Sequence, residues 1–181
     1  MSEVPAKPVY FVNAYSDPVV VRLEGRACFT NSAELQTFLN QMVEQGRTRF
    51  VMDFQHCAGM DSTFLGVLAG TALELRRKQP PGSLVLCRVG RRNLELVRNL
   101  GLYRLLTVDA GDVAMDFGPG ATALACAPDR NALENARLVL EAHENLVAAD
   151  PANQGKFQDV VAYLRNRVTQ DSRPLRTGGN P

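Results

Sequence analysis

Asp61, Ser62 and Thr63 stand directly in front of the apolar run "FLGVLAG", which spans Phe64 to Gly70. An acid and two hydroxyls at the mouth of a helix admit two chemistries. One is capping, in which a side-chain oxygen accepts a hydrogen bond from a first-turn N–H. The other is covalent. Unpaired N–H groups and the positive end of the helix dipole tolerate an added anion at that position, so a phosphoryl group on Ser62 would bring roughly −1.5 to −2 charge there without unfolding the helix. A hundredfold loss of affinity for a partner needs only about 2.7 kcal/mol, and an unpaired charge buried in an interface costs more than that. One phosphate is therefore enough to eject a partner, with Asp61 adding repulsion beside it.

Other reactive residue types are present without the spacing their chemistry needs. His56 lies six residues before Ser62 and is the residue to consider as its base, but nothing completes a triad, and GxSxG, HExxH, Walker A and post-strand GxGxxG signatures are missing. Asp53, Asp61 and Asp109 each fall near the C-terminal end of an expected strand, the edge where open α/β sheets place their sites. Without phosphate-binding glycines they do not add up to a magnesium site, and neither a cofactor nor a metal is expected. Cys28, Cys57, Cys87 and Cys126 are scattered with no CxxC pair and only two histidines, so they read as reduced, mostly buried thiols. A formal net charge of +1 gives no bulk reason to expect nucleic acid. No stretch is long and apolar enough to span a membrane, and Met1 to Pro8 lacks the apolar segment of a signal peptide, so a cytoplasmic protein is expected.

Elements around Ser62 follow from periodicity. "VYFVNAY" (Val9 to Tyr15) and "PVVVRLEGR" (Pro18 to Arg26) read as a strand pair across the turn Ser16-Asp17-Pro18, with Val19, Val21 and Leu23 on one face. Leu35, Phe38, Leu39, Met42 and Val43 follow helical spacing, with Asn31 placed to cap, Glu34 to complete a capping box, and Gly46 to stop the helix. "RFVMDF" (Arg49 to Phe54) is a central strand leading into the Ser62 helix, which closes at Arg76-Arg77-Lys78. "SLVLCRV", "RNLELVRNLG" and "RLLTVD" supply a strand, a short helix and a last strand. This order predicts an α/β fold with a mixed, mostly parallel sheet, its first pair antiparallel, covered by helices. Residues 113–128 read as a linker. Residues 129–170 read as an α-helical hairpin, with Leu133, Ala136, Val139, Leu140 and Val147 on one stripe and Phe157, Val160, Val161, Leu164 and Val168 on another. Asp150 and Pro151 are placed to open the second helix, and residues 171–181 read as a disordered tail.

The succession "VVVRLEGR", a helix, "RFVMDFQHCAGMDSTFLGVLAG", then "SLVLCRVGRRNLELVRNLGLYRLLTVD" resembles the STAS domain of bacterial anti-sigma-factor antagonists. The resemblance spans about residues 9–112, so 1–112 is expected to be a STAS-like domain. It implies a non-enzymatic switch in transcription regulation. Ser62, directly after the acid of the helix-opening motif, would be the phosphorylation site, and Asp61, Ser62, Thr63 and Phe64 the partner-binding turn. The partner it implies is an anti-sigma factor that is also a serine kinase of histidine-kinase-like ATPase fold, bound when Ser62 is unphosphorylated and released on phosphorylation, with a serine phosphatase resetting the cycle.

Two positions depart from the pattern. Where the family commonly carries Gly-Glu-Leu-Asp, this chain reads Gly25-Arg26-Ala27-Cys28, and Phe64 stands where a glycine is common. A non-switching structural subunit of a transporter or stress-sensing complex is therefore the alternative. The C-terminal helices are expected to pack on the sheet domain, with a second partner or a homodimer as the other use of their apolar stripe.

Overall fold

The computed structural model describes residues 7–109, 121–125 and 129–172. Two strands, β1 (Tyr10–Asn13) and β2 (Val19–Ala27), pair antiparallel with Tyr10 opposite Leu23 and Asn13 opposite Val20. After helix α1 (Ser32–Glu44), β3 (Arg49–Met60) runs parallel to β2, and helix α2 (Ser62–Arg77) leads to β4 (Ser83–Cys87), parallel to β3. Helix α3 (Arg91–Asn99) and a 3-10 turn at Leu102–Arg104 precede β5 (Thr107–Asp109), parallel to β4. Then come β6 (Thr122–Ala123), which pairs antiparallel with the outer side of β1, and helices α4 (Ala132–Ala149) and α5 (Asn153–Asp171). The strand order is β5-β4-β3-β2-β1-β6, a mixed sheet with a parallel centre, as the element order predicts.

Its core is continuous. Val19, Val21 and Leu23 of β2, Phe50, Met52 and Phe54 of β3, Leu35 and Leu39 of α1, and Leu65, Leu68 and Leu75 of α2 share one buried cluster, and Leu138 and Leu146 of α4 belong to it. Each such leucine contributes about 1.5–3 kcal/mol through removal of its side chain from water. α4 packs on α2, and α5 packs on α4, so the C-terminal hairpin adds two layers outside the helix that Ser62 opens.

Several local expectations change. Asn31 does not cap α1. Its Oδ1 accepts from the Cys28 backbone N–H (3.0 Å) and the Tyr10 hydroxyl (2.8 Å), and its Nδ2 donates to the Arg26 carbonyl (2.9 Å). The capping box lies instead at the start of α4, between Asn131 and Glu134. Gly46, by contrast, takes the left-handed conformation (φ 85°) that stops α1. Strand β3 continues six residues past Phe54 because β2 runs beside it as far as Ala27, opposite Met60, through two register shifts. Part of the expected linker, Thr122–Ala123, is an edge strand, and the rest of 113–128 lies mainly outside the described residues. On α4 the inward residues are Ala136, Leu138, Ala142, His143 and Leu146; Leu133, Val139, Leu140 and Val147 are only partly covered. Asp150 receives the Ala152 N–H (3.0 Å) in a turn that precedes α5, so the helix starts two residues after Pro151. Of the α5 stripe, Val161 and Leu164 are buried while Val160 is exposed. The expected tail lies outside the described residues from 173 onward.

Candidate functional site

Pairing of β2 with β3 out to Ala27 and Met60 fixes where the turn at Asp61 sits. The Asp61 N–H donates to the Ala27 carbonyl (3.2 Å), so the end of β2 and the entry to α2 are one unit. Asp61 is in extended conformation and caps α2, its Oδ1 accepting from the Phe64 N–H (2.9 Å). Its second oxygen, Oδ2, accepts from the Phe29 N–H (2.8 Å) in the loop after β2. The carboxylate therefore does both jobs a cap can do here: it satisfies a first-turn donor, and it ties the β2–α1 loop to the helix mouth. Asp61→Ala is expected to cost about 1–2 kcal/mol, the range for loss of a good N-cap, and to loosen the loop around half-exposed Phe29; a urea titration with backbone amide exchange at residues 28–31 checks both.

Ser62 is the first residue of α2 and is half-buried. Thr63 and Phe64 follow it into the core, Phe64 fully enclosed between Tyr10 (rings 6.4 Å apart, stacked) and Phe54 (6.2 Å, edge-on). Of the four residues expected in the turn, Asp61 and Ser62 thus reach the surface, and Thr63 and Phe64 hold the turn from below. Burial also drives the Tyr10 phenol far above its ordinary pKa, so it remains a donor to Asn31 and keeps that loop in place.

The base considered for Ser62 is not where sequence proximity suggested. His56 is exposed on β3. The histidine that meets Ser62 is His143 of α4, eighty-one residues away, its Nε2 2.9 Å from Oγ. His143 is 5% exposed and its Nδ1 lies 2.7 Å from the Val139 carbonyl. A carbonyl can only accept, so in the neutral ring Nδ1 carries the hydrogen and Nε2 accepts the serine's proton. The Phe157 ring of α5 stands edge-on to the imidazole at 4.9 Å. Nothing in the spacing of His143 marks it as a site residue; only the packing of α4 on α2 brings it there. Beside the pair lies a cavity of about 280 Å³ whose lining is mostly apolar, with Met60, Leu65, Leu100 and Phe157, and includes Asn99 and Lys156.

Two of the three strand-end carboxylates, Asp53 and Asp61, are engaged separately. Asp53 is buried and forms a bidentate pair with Arg88, Nε to Oδ1 at 2.9 Å and Nη2 to Oδ2, and it accepts from the Gln55 N–H as well (3.0 Å). Asp61 is committed to its two N–H donors. Asp109 pairs in register with Cys87. Among the described residues no group of three or more His, Cys, Asp or Glu side chains is placed to hold a metal ion. Cys28, Cys57 and Cys87 are reduced cysteines, and Cys126 lies outside the described residues; burial raises the Cys57 pKa, keeping it a thiol that donates to the Gly59 carbonyl (3.4 Å). Among those residues, too, no helix is long and apolar enough to cross a membrane.

Comparison with known proteins adds the following. A family model for the STAS domain matches residues 11–111. Among solved structures, the anti-sigma factor antagonist SpoIIAA in its unphosphorylated form is similar at 20% identity and a TM-score of 0.47, over 57% of this chain and 90% of that one. The phosphorylated form of the Bacillus cell fate determinant SpoIIAA gives 20% identity and a TM-score of 0.48, over 58% of this chain and 95% of that one. A Thermotoga maritima protein provisionally assigned as an anti-sigma factor antagonist gives 14% and 0.49, over 57% and 87%. The matched family region ends before α4, so His143 and the rest of the hairpin lie outside it.

Proposed function

Because the chain belongs to the STAS domain family, as the match over residues 11–111 establishes, we propose that it is an anti-sigma-factor antagonist working by partner switching. In this proposal Ser62 is the phosphorylation site. The unphosphorylated protein binds an anti-sigma factor that is also a serine kinase of histidine-kinase-like ATPase fold, and it leaves that partner on phosphorylation, with a serine phosphatase restoring the binding form. It is a cytoplasmic bacterial regulator with no catalysis of its own, no cofactor, and no direct contact with nucleic acid.

The single observation that carries this is the position of half-buried Ser62 as the first residue of α2, with Asp61 capping the helix. A phosphate there meets the positive end of the helix dipole and unpaired N–H groups, so the fold survives the modification while a docked partner faces a new charge. Partner contact falls to Asp61 and Ser62 with the neighbouring Phe29, half exposed on the loop that Asp61 holds, while Thr63 and Phe64 support them. Phe29 follows the position where the family's acid is replaced by Cys28, so the contact is apolar where relatives would offer charge.

The hydrogen bond from Ser62 to His143 favours one other reading, a constant structural subunit in which the hydroxyl only secures α4. The two separate in a labelling experiment. With radiolabelled ATP and host-cell extract, the purified chain is expected to take label on Ser62 and the Ser62→Ala variant to take none. Undiminished label on Ser62→Ala, or none on either protein, would overturn the switch.

A further inference from the structure

We propose that the α4–α5 hairpin is a lid that the chain closes over its own switch serine, and that phosphoryl transfer to Ser62 and docking on the face of α2 both require it to swing away. This rests on the reading of Ser62 as a phosphorylation site, but the lid is carried by contacts of its own.

The first is the closeness of α4 to α2. A methyl group built on Gly66 would lie 2.1 Å from the Ala142 carbonyl oxygen, and one on Gly70 would lie 2.4 Å from the Asn145 side-chain nitrogen, which also reaches the Gly66 carbonyl at 3.3 Å. No partner element fits on that face of α2 while α4 occupies it. The second contact is at the serine. In phosphoryl transfer the Oγ–P bond forms as the bond from the γ-phosphorus of ATP to ADP breaks, and the hydroxyl proton passes to the kinase's base. In the closed chain that proton is already engaged by His143 Nε2, at 2.9 Å, and α4 stands where the kinase would have to come. Once phosphorylated, Ser62 has no proton to donate. A phosphoryl group on Oγ has no room in the 2.9 Å that separates it from Nε2, with the Phe157 ring packed behind the imidazole, so phosphate and the closed α4 compete for the same space.

The third is the makeup of the seam. Besides the apolar contacts of Leu138, Ala142, Leu146, Ala149 and Phe157, the hairpin is fastened by four polar contacts among the described residues: His143 to Ser62, Asn145 to Gly66, Lys156 to the Asn99 carbonyl, and Asn153 Nδ2 to the Leu100 carbonyl (2.9 Å). Asn153 Oδ1 is buried without a hydrogen bond, which makes closure less favourable than a fully satisfied interface. Within the hairpin, Arg165 of α5 pairs with Glu144 of α4 at 2.8 Å and the Asn131–Glu134 capping box secures the start of α4, so the two helices can move as one body.

The test is hydrogen–deuterium exchange on the full chain carrying phosphoserine at position 62, introduced by nonsense suppression, against the unmodified chain. Amides of α4 and α5 are expected to exchange about tenfold faster or more in the phosphoserine protein, while those of β2, β3 and β4 stay unchanged. His143→Ala in the unmodified chain should shift the same helices in the same direction by less. Equal exchange in α4 and α5, slower exchange there, or acceleration spread evenly over the strands would each overturn the lid. No kinase or partner enters the measurement, so an unlabelled Ser62 in host extract would remove the switch and leave this result to be read on its own.

Discussion

Phe64→Gly is expected to remove about 4–5 kcal/mol of folding stability, a large share of the roughly 5–15 kcal/mol that a folded domain has. The side chain is fully buried between Tyr10 and Phe54. Emptying such a site costs about 3–5 kcal/mol even when a methyl remains, and glycine in a helix adds roughly 0.5–1 kcal/mol relative to alanine. The change restores the residue common at this position in the resembling family, so a purely comparative view would expect it to be harmless. Urea denaturation distinguishes the two: a loss below about 1 kcal/mol would mean that Phe64 is not the keystone of the core beneath the turn at Asp61 and Ser62.

Gly66→Ala carries the second large effect, and here two terms of opposite sign compete. On an isolated helix the substitution stabilises by roughly 0.5–1 kcal/mol. In this protein the new Cβ meets the carbonyl oxygen, carbonyl carbon and Cα of Ala142 at 2.1, 2.5 and 2.7 Å, and these are backbone atoms that cannot rotate away. Either α4 backs off, losing the burial of Leu138 and Leu146, or α2 is pushed into the sheet. Overpacking of this kind costs about 1–3 kcal/mol, so a net loss near 2 kcal/mol is expected, together with deprotection of α4 amides. Denaturation coupled to amide exchange reads both, and a stabilised variant with α4 fully protected would contradict the close approach of the two helices.

Much of the frame around Ser62 is legible in the sequence because it rests on local rules. The apolar spacing of Leu35, Phe38, Leu39, Met42 and Val43 places α1, Gly46 stops it, and the Asp-Ser-Thr opening with Arg76 and Arg77 in the last turn bounds α2. What escapes is decided between elements. Asn31 has the sequence of a cap, yet the Cys28 N–H and the Tyr10 hydroxyl compete for its oxygen and win. The last six residues of β3, Gln55 to Met60, lack β-branched residues and include a glycine, and they are strand because β2 pairs with them. Thr122–Ala123 looks like linker and joins the sheet because β1 has an open edge.

His143 escapes most completely. It sits on a helix whose apolar pattern points to Leu133, Ala136, Val139, Leu140 and Val147, whereas of these only Ala136 is buried, together with Leu138, Ala142, His143 and Leu146. The broad stripe allowed several rotations of the helix, and glycines at 66 and 70, which permit an approach too close for any side chain, chose among them. Two glycines four apart on a buried helix were the one signal of that approach.

The most direct measurement is quantitative mass spectrometry of proteins captured from host extract by Ser62→Ala and Ser62→Glu forms of the full chain. A serine kinase of histidine-kinase-like ATPase fold held by the alanine form and lost from the glutamate form is the predicted result. The same partners in the same amounts on both would contradict partner switching and leave Ser62 as the residue that starts α2 and fastens His143.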